Sequence, residues 1–239
     1  MTTSAPNQVE PGRTPAPEHR RRALVALFVL LLAALIARAV FLIWEPPFDG
    51  SLDYDAIAPL GESYWAMNLY VGGPAFAVVW TAAAIFIALL ARGRSGVVTL
   101  GAAVLTWLSG TVFALVVTAE VLPFALAADG ALFDEAAGRQ LFDTFNASLG
   151  LLLPAILGSQ LGVAVGILVF LVTAIATKVL PRWFSIAGVA YIVLFFALPF
   201  EQLGRGAVIA ADLLQAVLIA GIGWFGLRAF MADRRRIVP

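Results

Sequence analysis

The stretch ALVALFVLLLAALIARAVFLIW, residues Ala23–Trp44, decides the fold. Its only charge is Arg38, and Arg20, Arg21 and Arg22 stand directly before it. A bilayer core calls for roughly 20 apolar residues in helical form, at about 1.5 Å each. The competing reading is a secretory signal peptide with Ala37-Arg38-Ala39 as an A-x-A-like cleavage site. The run is long for the apolar region of such a peptide, and arginine is unusual at that position. A membrane span is therefore the expectation.

Working outward, five more apolar runs follow, at about 65–91, 97–122, 149–177, 183–200 and 207–230. The expected architecture is an all-α bundle of six transmembrane spans, 23–230. A proline-rich disordered tail, 1–22, precedes it and a basic tail, 231–239, follows. Composition agrees: 62% of the 239 residues are hydrophobic and 13% charged, against about 45–50% and 25% in soluble domains. The links 92–96 and 178–182 are short and basic. The two longer links are 45–64 and 124–146. The second contains a candidate amphipathic helix, 132–145, with Leu132, Phe133, Ala136, Leu141 and Phe145 on its apolar side. Such a helix would lie on the membrane surface or cap the bundle.

Charge sorts by side. With six spans, one side collects Arg13, Arg20, Arg21, Arg22, Arg92, Arg94, Lys178, Arg182, Arg228, Arg234, Arg235 and Arg236. The other half holds only Arg38, Arg139 and Arg205, together with most of the acids. The positive-inside rule places both termini in the cytoplasm. The basic rim would meet anionic lipid headgroups. Alanine richness and a single lysine, Lys178, point to a GC-rich bacterial genome and so to an inner membrane.

The chain has no cysteine and one histidine, His19, in the polar tail. This excludes disulfides, thiolate metal sites and cysteine nucleophiles, and argues against a histidine-held haem or zinc within the membrane. No cofactor or metal is expected. Asp49, Asp53 and Asp55 are spaced carboxylates, but they miss the calcium-loop pattern; a solvated acidic loop accounts for them. No metalloprotease, nucleophile-elbow or phosphate-loop motif is present, nor any nucleic-acid signature.

Two features remain. Gly158, Gly162 and Gly166 make a groove on one helix face that lets another helix approach closely. That face would serve packing within the bundle or assembly into an oligomer. Pro154, one turn earlier, is expected to bend the span, and Pro74 to do the same in the second span. Asn146 and Gln160 would share a face if the helix ran unbroken between them.

Polar residues within spans are the other feature, since burying them in lipid is unfavourable. Arg38 lies about 9 Å from the outer end of its span. Glu120 is near the outer end of the third span, below a stripe of Thr106, Ser109, Gly110 and Phe113. Asp212 lies in the sixth span with Gln215 three residues on. Glu201 and Arg205 are spaced for an ion pair between the fifth and sixth spans, and Gln160 lies in the fourth. The expected picture is an outer polar cluster in which Arg38 pairs with Glu120 or Asp212. It would be either a pocket or a set of structural ion pairs.

Residues 158–200, with Leu180-Pro181-Arg182-Trp183 followed by Gly188 and Tyr191, resemble the later spans of an uncharacterised bacterial family of six-span membrane proteins. The resemblance covers about a fifth of the chain and implies topology, not activity. The function expected is a non-catalytic binding or transport module with a polar cavity in its outer half. One alternative is an accessory subunit packing through Gly158, Gly162 and Gly166. Another is a membrane-embedded enzyme using Glu120 and Asp212 as acid and base.

Overall fold

The computed structural model describes residues 17–46, 51–200 and 202–234. Among these, every regular element is helical. The elements are α1 Pro17–Trp44, α2 Tyr54–Ile57, α3 Glu62–Met67, α4 Gly73–Leu89, α5 Gly96–Ala127, α6 Glu135–Ser148, α7 Leu153–Thr177, α8 Arg182–Ala197 and α9 Arg205–Arg234. A π-turn, Asn68–Gly72, joins α3 to α4, so Glu62–Leu89 runs as one helix. Pro74 stands just beyond it, at the start of α4. A π-turn widens the helix where a proline removes a donor and crowds the preceding turn.

Five helices are long and apolar enough to cross a membrane: Glu18–Trp44, Glu62–Leu89, Gly96–Ala127, Leu153–Thr177 and Arg205–Met231. The sixth apolar helix, α8, has 16 residues, or about 24 Å. The expected fifth span, 183–200, is thus cut short at Ala197. Leu198 is extended, at φ −100° and ψ 133°, as the residue before a proline, here Pro199, prefers.

The five long helices and α8 alternate in direction. Phe76 and Trp80 of α4 face Arg38 of α1, while Phe86 meets Phe28. Gly73 meets Thr118 of α5, and Gly110 meets Trp80. Gly162 and Gly166 of α7 lie on Ser109 and Thr106 of α5. Gly188 of α8 touches Leu171 of α7, and Phe184 packs on Gly221 and Phe225 of α9. Arg205, opening α9, donates to the carbonyls of Ile43 and Glu45 at 2.6 and 3.1 Å. One end of the bundle therefore gathers Arg20, Arg21, Arg22, Arg92, Lys178, Arg182 and Arg228. The other gathers Glu45, Asp53, Asp55, Glu62, Asp134, Glu135 and Arg139.

Two cores form. The larger lies among the long helices, around Leu31, Val79, Phe86, Phe170, Leu171 and Ile222. The smaller lies at the acidic end, where Ile57, Tyr64, Val121, Phe124, Phe142 and Leu149 pack together. α5 continues through Pro123 to Ala127, past the end expected at Leu122, and so supplies Phe124 to this second core.

Other boundaries also shift. Residues 17–22, expected in a disordered tail, form the first turns of α1, with Arg22 bonded to Glu18 at 2.7 Å. The residues before Pro17, and residues 235–239, lie outside the described residues. The amphipathic helix begins at Glu135, because the Asp134 side chain caps the Ala137 N–H at 2.8 Å. Its buried positions are Gly138 and Phe142; Leu132, Phe133 and Ala136 are exposed. Pro154 does not bend a span but sits in the first turn of α7, where its missing donor is harmless. Asn146 and Gln160 consequently lie on different helices. Asn146 instead clips the backbone of Leu52, accepting from its N–H at 3.0 Å and donating to its carbonyl at 2.9 Å.

Candidate functional site

Arg38 is buried on α1, about 9 Å from the helix end. Asp212 and Gln215 lie at a matching depth on α9, because Arg205 holds the start of α9 against the end of α1. Arg38 Nη2 donates to Asp212 Oδ1 and to Gln215 Oε1. From α4, Phe76 and Trp80 place their rings 4.8 and 5.6 Å from the guanidinium carbon. Aromatic faces attract a desolvated cation. Trp80 can take this position because Gly110 opposite it has no Cβ. The expected pairing of Arg38 with Asp212 is thus formed.

The pair lines a cleft of about 100 Å³ enclosed by α1, α4, α5, α7, α8 and α9. Apolar walls come from Phe113, Val163, Ile167, Ile192, Phe195 and Leu218. Gln160 and Phe196, both exposed, form its rim. Tyr191 also lines it, donating its hydroxyl to the Ala211 carbonyl at 3.0 Å. The polar capacity is unfilled. Arg38 Nε and Nη1, Trp80 Nε1 and Asp212 Oδ2 are buried with no hydrogen-bond partner among the described residues. Buried polar atoms are normally paired; four of the six unpaired ones among the described residues belong to residues that line this cleft, the others being Glu120 Oε2 and Ser185 Oγ.

Glu120 is not part of this site. It lines a separate groove with Leu115, Pro123, Phe145 and Leu149, beneath α6. Its charge reaches Glu45, whose carboxyl is pushed up to about 7, first by burial and then by Glu120. Glu120 and Asp212 thus line different clefts. The stripe leading inward from Glu120 serves packing: Thr106 lies under Gly166, Ser109 under Gly162, and Gly110 under Trp80. Only Phe113 of that stripe reaches the cleft.

Arg205 straps α1 to α9 by satisfying terminal carbonyls of α1. Glu201, its expected partner, lies outside the described residues. Gly162 and Gly166 are covered by α5, whereas Gly158 faces open space. The glycine groove is largely occupied within the chain.

A second polar cluster sits at the acidic end. Arg139 of α6 donates to Asp55 of α2, with one bond at 3.1 Å, and to Glu135 at 3.0 Å. It also lies 4.5 Å from the Tyr54 ring. Asp53 caps α2, accepting from the Asp55 N–H at 3.0 Å. Asp53 and Asp55 of the acidic loop are thus engaged in structure; Asp49 lies outside the described residues. No group of three or more potential ligands for a metal occurs among the described residues.

Sequence reasoning under-read Trp80 and Tyr191. The signal for Trp80 was its depth, since a tryptophan far from the interfacial belt needs an interior reason. No family model matches this chain, and no curated protein or solved structure matches it either.

Proposed function

We propose that the chain is an integral membrane protein with six spans and both termini in the cytoplasm, whose cleft around Arg38 and Asp212 binds a small molecule. The membrane reading is supported by the five long apolar helices. Six crossings are supported by the alternating directions, which put Arg20–Arg22, Arg92, Lys178, Arg182 and Arg228 at one end. On the positive-inside rule that end is cytoplasmic, and its arginines would meet anionic headgroups of a bacterial inner membrane. α8 would then be a short crossing whose apolar outer end stops within the bilayer.

The observation that carries the binding reading is the set of unpaired buried atoms on Arg38, Trp80 and Asp212 around one cleft. An ion pair built only for stability is a weak device, because desolvation offsets much of its attraction. Leaving several of its atoms unpaired weakens it further. Toward the basic end the bundle is closed by Leu171, Ala174, Phe184, Ile222 and Leu227, all buried. This favours binding from the outer half over a continuous path.

The test is a thermal-shift screen of the detergent-purified protein against lipids and small polar molecules. At least one compound should raise the midpoint of the wild type and not that of Ala164→Phe, which fills the cleft. Shifts equal in both proteins, or none in either, would remove the cleft as a binding site.

A further inference from the structure

We infer that the cleft takes the head of an uncharged amphiphile, a lipid-like molecule with several hydrogen-bond acceptors and at least one donor, which enters from the side of the bundle between α7 and the end of α8. This rests on reading the cleft as a binding site and adds the ligand's class and its route.

The polar inventory comes first. Among the buried atoms of the lining, Arg38 Nε, Arg38 Nη1 and Trp80 Nε1 offer unpaired donors, against one unpaired acceptor, Asp212 Oδ2. The Tyr191 hydroxyl already spends its hydrogen on the Ala211 carbonyl and can only accept from a ligand. A head that mostly accepts and donates once complements this set. Ester carbonyls with one hydroxyl fit it, as in diacylglycerol.

Charge narrows the class. Arg38 is balanced by Asp212. A second anion would leave a net charge in a mostly apolar cleft, where an unpaired ion is strongly disfavoured. A neutral head adds hydrogen bonds without that penalty.

Size and position give the route. A site that engulfs a drug-sized molecule has a volume of about 300–1,000 Å³. The cleft, at about 100 Å³, holds only a head. The rest of the ligand must lie outside it. The exposed rim residues are Gln160 and Phe196. Phe196 is the penultimate residue of α8, and α8 stops where Pro199 ends it. Past α8 the chain turns through Leu198-Pro199-Phe200, with Phe200 stacked on Phe195 at 5.9 Å, so the exposed side of the cleft is the one between Gln160 of α7 and Phe196 of α8. In the proposed orientation that side faces the acyl chains of the outer leaflet. A tail leaving there would stay in hydrocarbon.

Native mass spectrometry of the full purified chain, reloaded in turn with diacylglycerol, phosphatidylglycerol or glycerol, tests this. One diacylglycerol should be retained per chain. Retention should fall about tenfold in Gln160→Trp, which blocks the exposed rim, and several-fold in Trp80→Phe, which removes one donor. Gln160 is exposed, so that variant does not depend on repacking the core. Preference for phosphatidylglycerol, lost in Gln160→Trp, would overturn the neutral class and leave the cleft a binding site. Retention of glycerol alone would overturn the amphiphile and its lateral route, again leaving the site. Diacylglycerol held equally by wild type and both variants would mean attachment to the apolar surface and would overturn the proposal. Retention of none of the three, with no Ala164→Phe-sensitive ligand in the thermal screen, would remove the binding site as well.

Discussion

Arg38 and Arg139 are built alike and placed differently. Each meets a carboxylate, each has a second oxygen partner, and each lies against an aromatic ring. The Arg38 and Asp212 side chains are 9% and 12% exposed, those of Arg139 and Asp55 41% and 67%. The same chemical motif is therefore an obligation in one place and an option in the other. Water replaces any partner that Arg139 loses. Nothing replaces Asp212 for Arg38, and the helices α1, α4 and α9 must hold their relative depth to keep the pair together.

The largest expected effect follows from that obligation. Arg38→Ala leaves Asp212 buried without its cation, and breaking a buried pair from one side destabilises by about 3–5 kcal/mol. The double variant Arg38→Met/Asp212→Leu removes both charges and should recover most of the loss. Thermal unfolding of the purified protein reads both. If the double variant is as unstable as the single one, packing around Arg38 rather than its charge holds the three helices. The contrast between the two arginines would then lose its electrostatic basis.

Next in size is the glycine face, which sharpens the comparison by supplying a purely steric reference. Gly166→Val would drive a branched side chain into Thr106 and the Ala102 carbonyl of α5. Overpacking of this kind destabilises by about 1–3 kcal/mol. Gly158 has open space where a Cβ would go, so Gly158→Ala should leave the unfolding midpoint unchanged. Equal effects at both positions would mean that α5 does not cover the groove as described.

How much of this was legible in the sequence depends on which force set it. Hydropathy located the long helices because lipid burial acts on some 20 residues at once. The Arg38–Asp212 pair was also readable: intramembrane charges are few and must find partners. Three things were not. Glu120 joined the cluster as a charge near the outer end of its span, yet depth does not fix the neighbour: Glu120 lines the groove beneath α6, and the stripe inward of it packs on α7 and α4. The unbroken helix from Asn146 to Gln160 failed because Pro154 could as well start a helix as bend one. The short α8 was masked by Leu198-Pro199-Phe200, apolar residues that read as span but cannot continue a helix. The early end of α8 leaves Phe196 in its last turn, at the exposed side of the cleft.

Glu45 gives a smaller, pH-dependent effect in the region between the two arginines. Burial and the neighbouring Glu120 carboxylate raise it from 4.5 to about 7. A group raised on folding favours its protonated form in the native state. Its contribution is complete below pH 4.5 and is lost as pH rises through about 7. Stability should therefore fall between pH 5 and 8, on the order of 1–2 kcal/mol after allowance for partial solvent access. Glu45→Gln should flatten that slope. A slope unchanged in Glu45→Gln would assign the titration to another group.

The smallest effect belongs to Arg139, and it completes the comparison. Its hydrogen bonds hold the Asp55 carboxyl below its ordinary 3.8. The sign is opposite to that of Glu45: this contribution is present above pH 3.8 and is lost as pH falls through the lowered value. Because both groups face water, Arg139→Ala should leave global stability within measurement error. What it should change is local. Arg139 and Asn146 both bond α6 to the segment around Leu52 and Asp55. Without Arg139 that segment keeps the Asn146 clip, the Tyr54–Phe142 contact and the buried Ile57, but loses its charged tie to α6. Limited proteolysis should then cut within residues 51–61 several-fold faster in Arg139→Ala, and high salt should produce part of the same effect in the wild type. A global loss as large as that of Arg38→Ala would show that exposure does not separate the two sites, and the ranking by burial would fall with it.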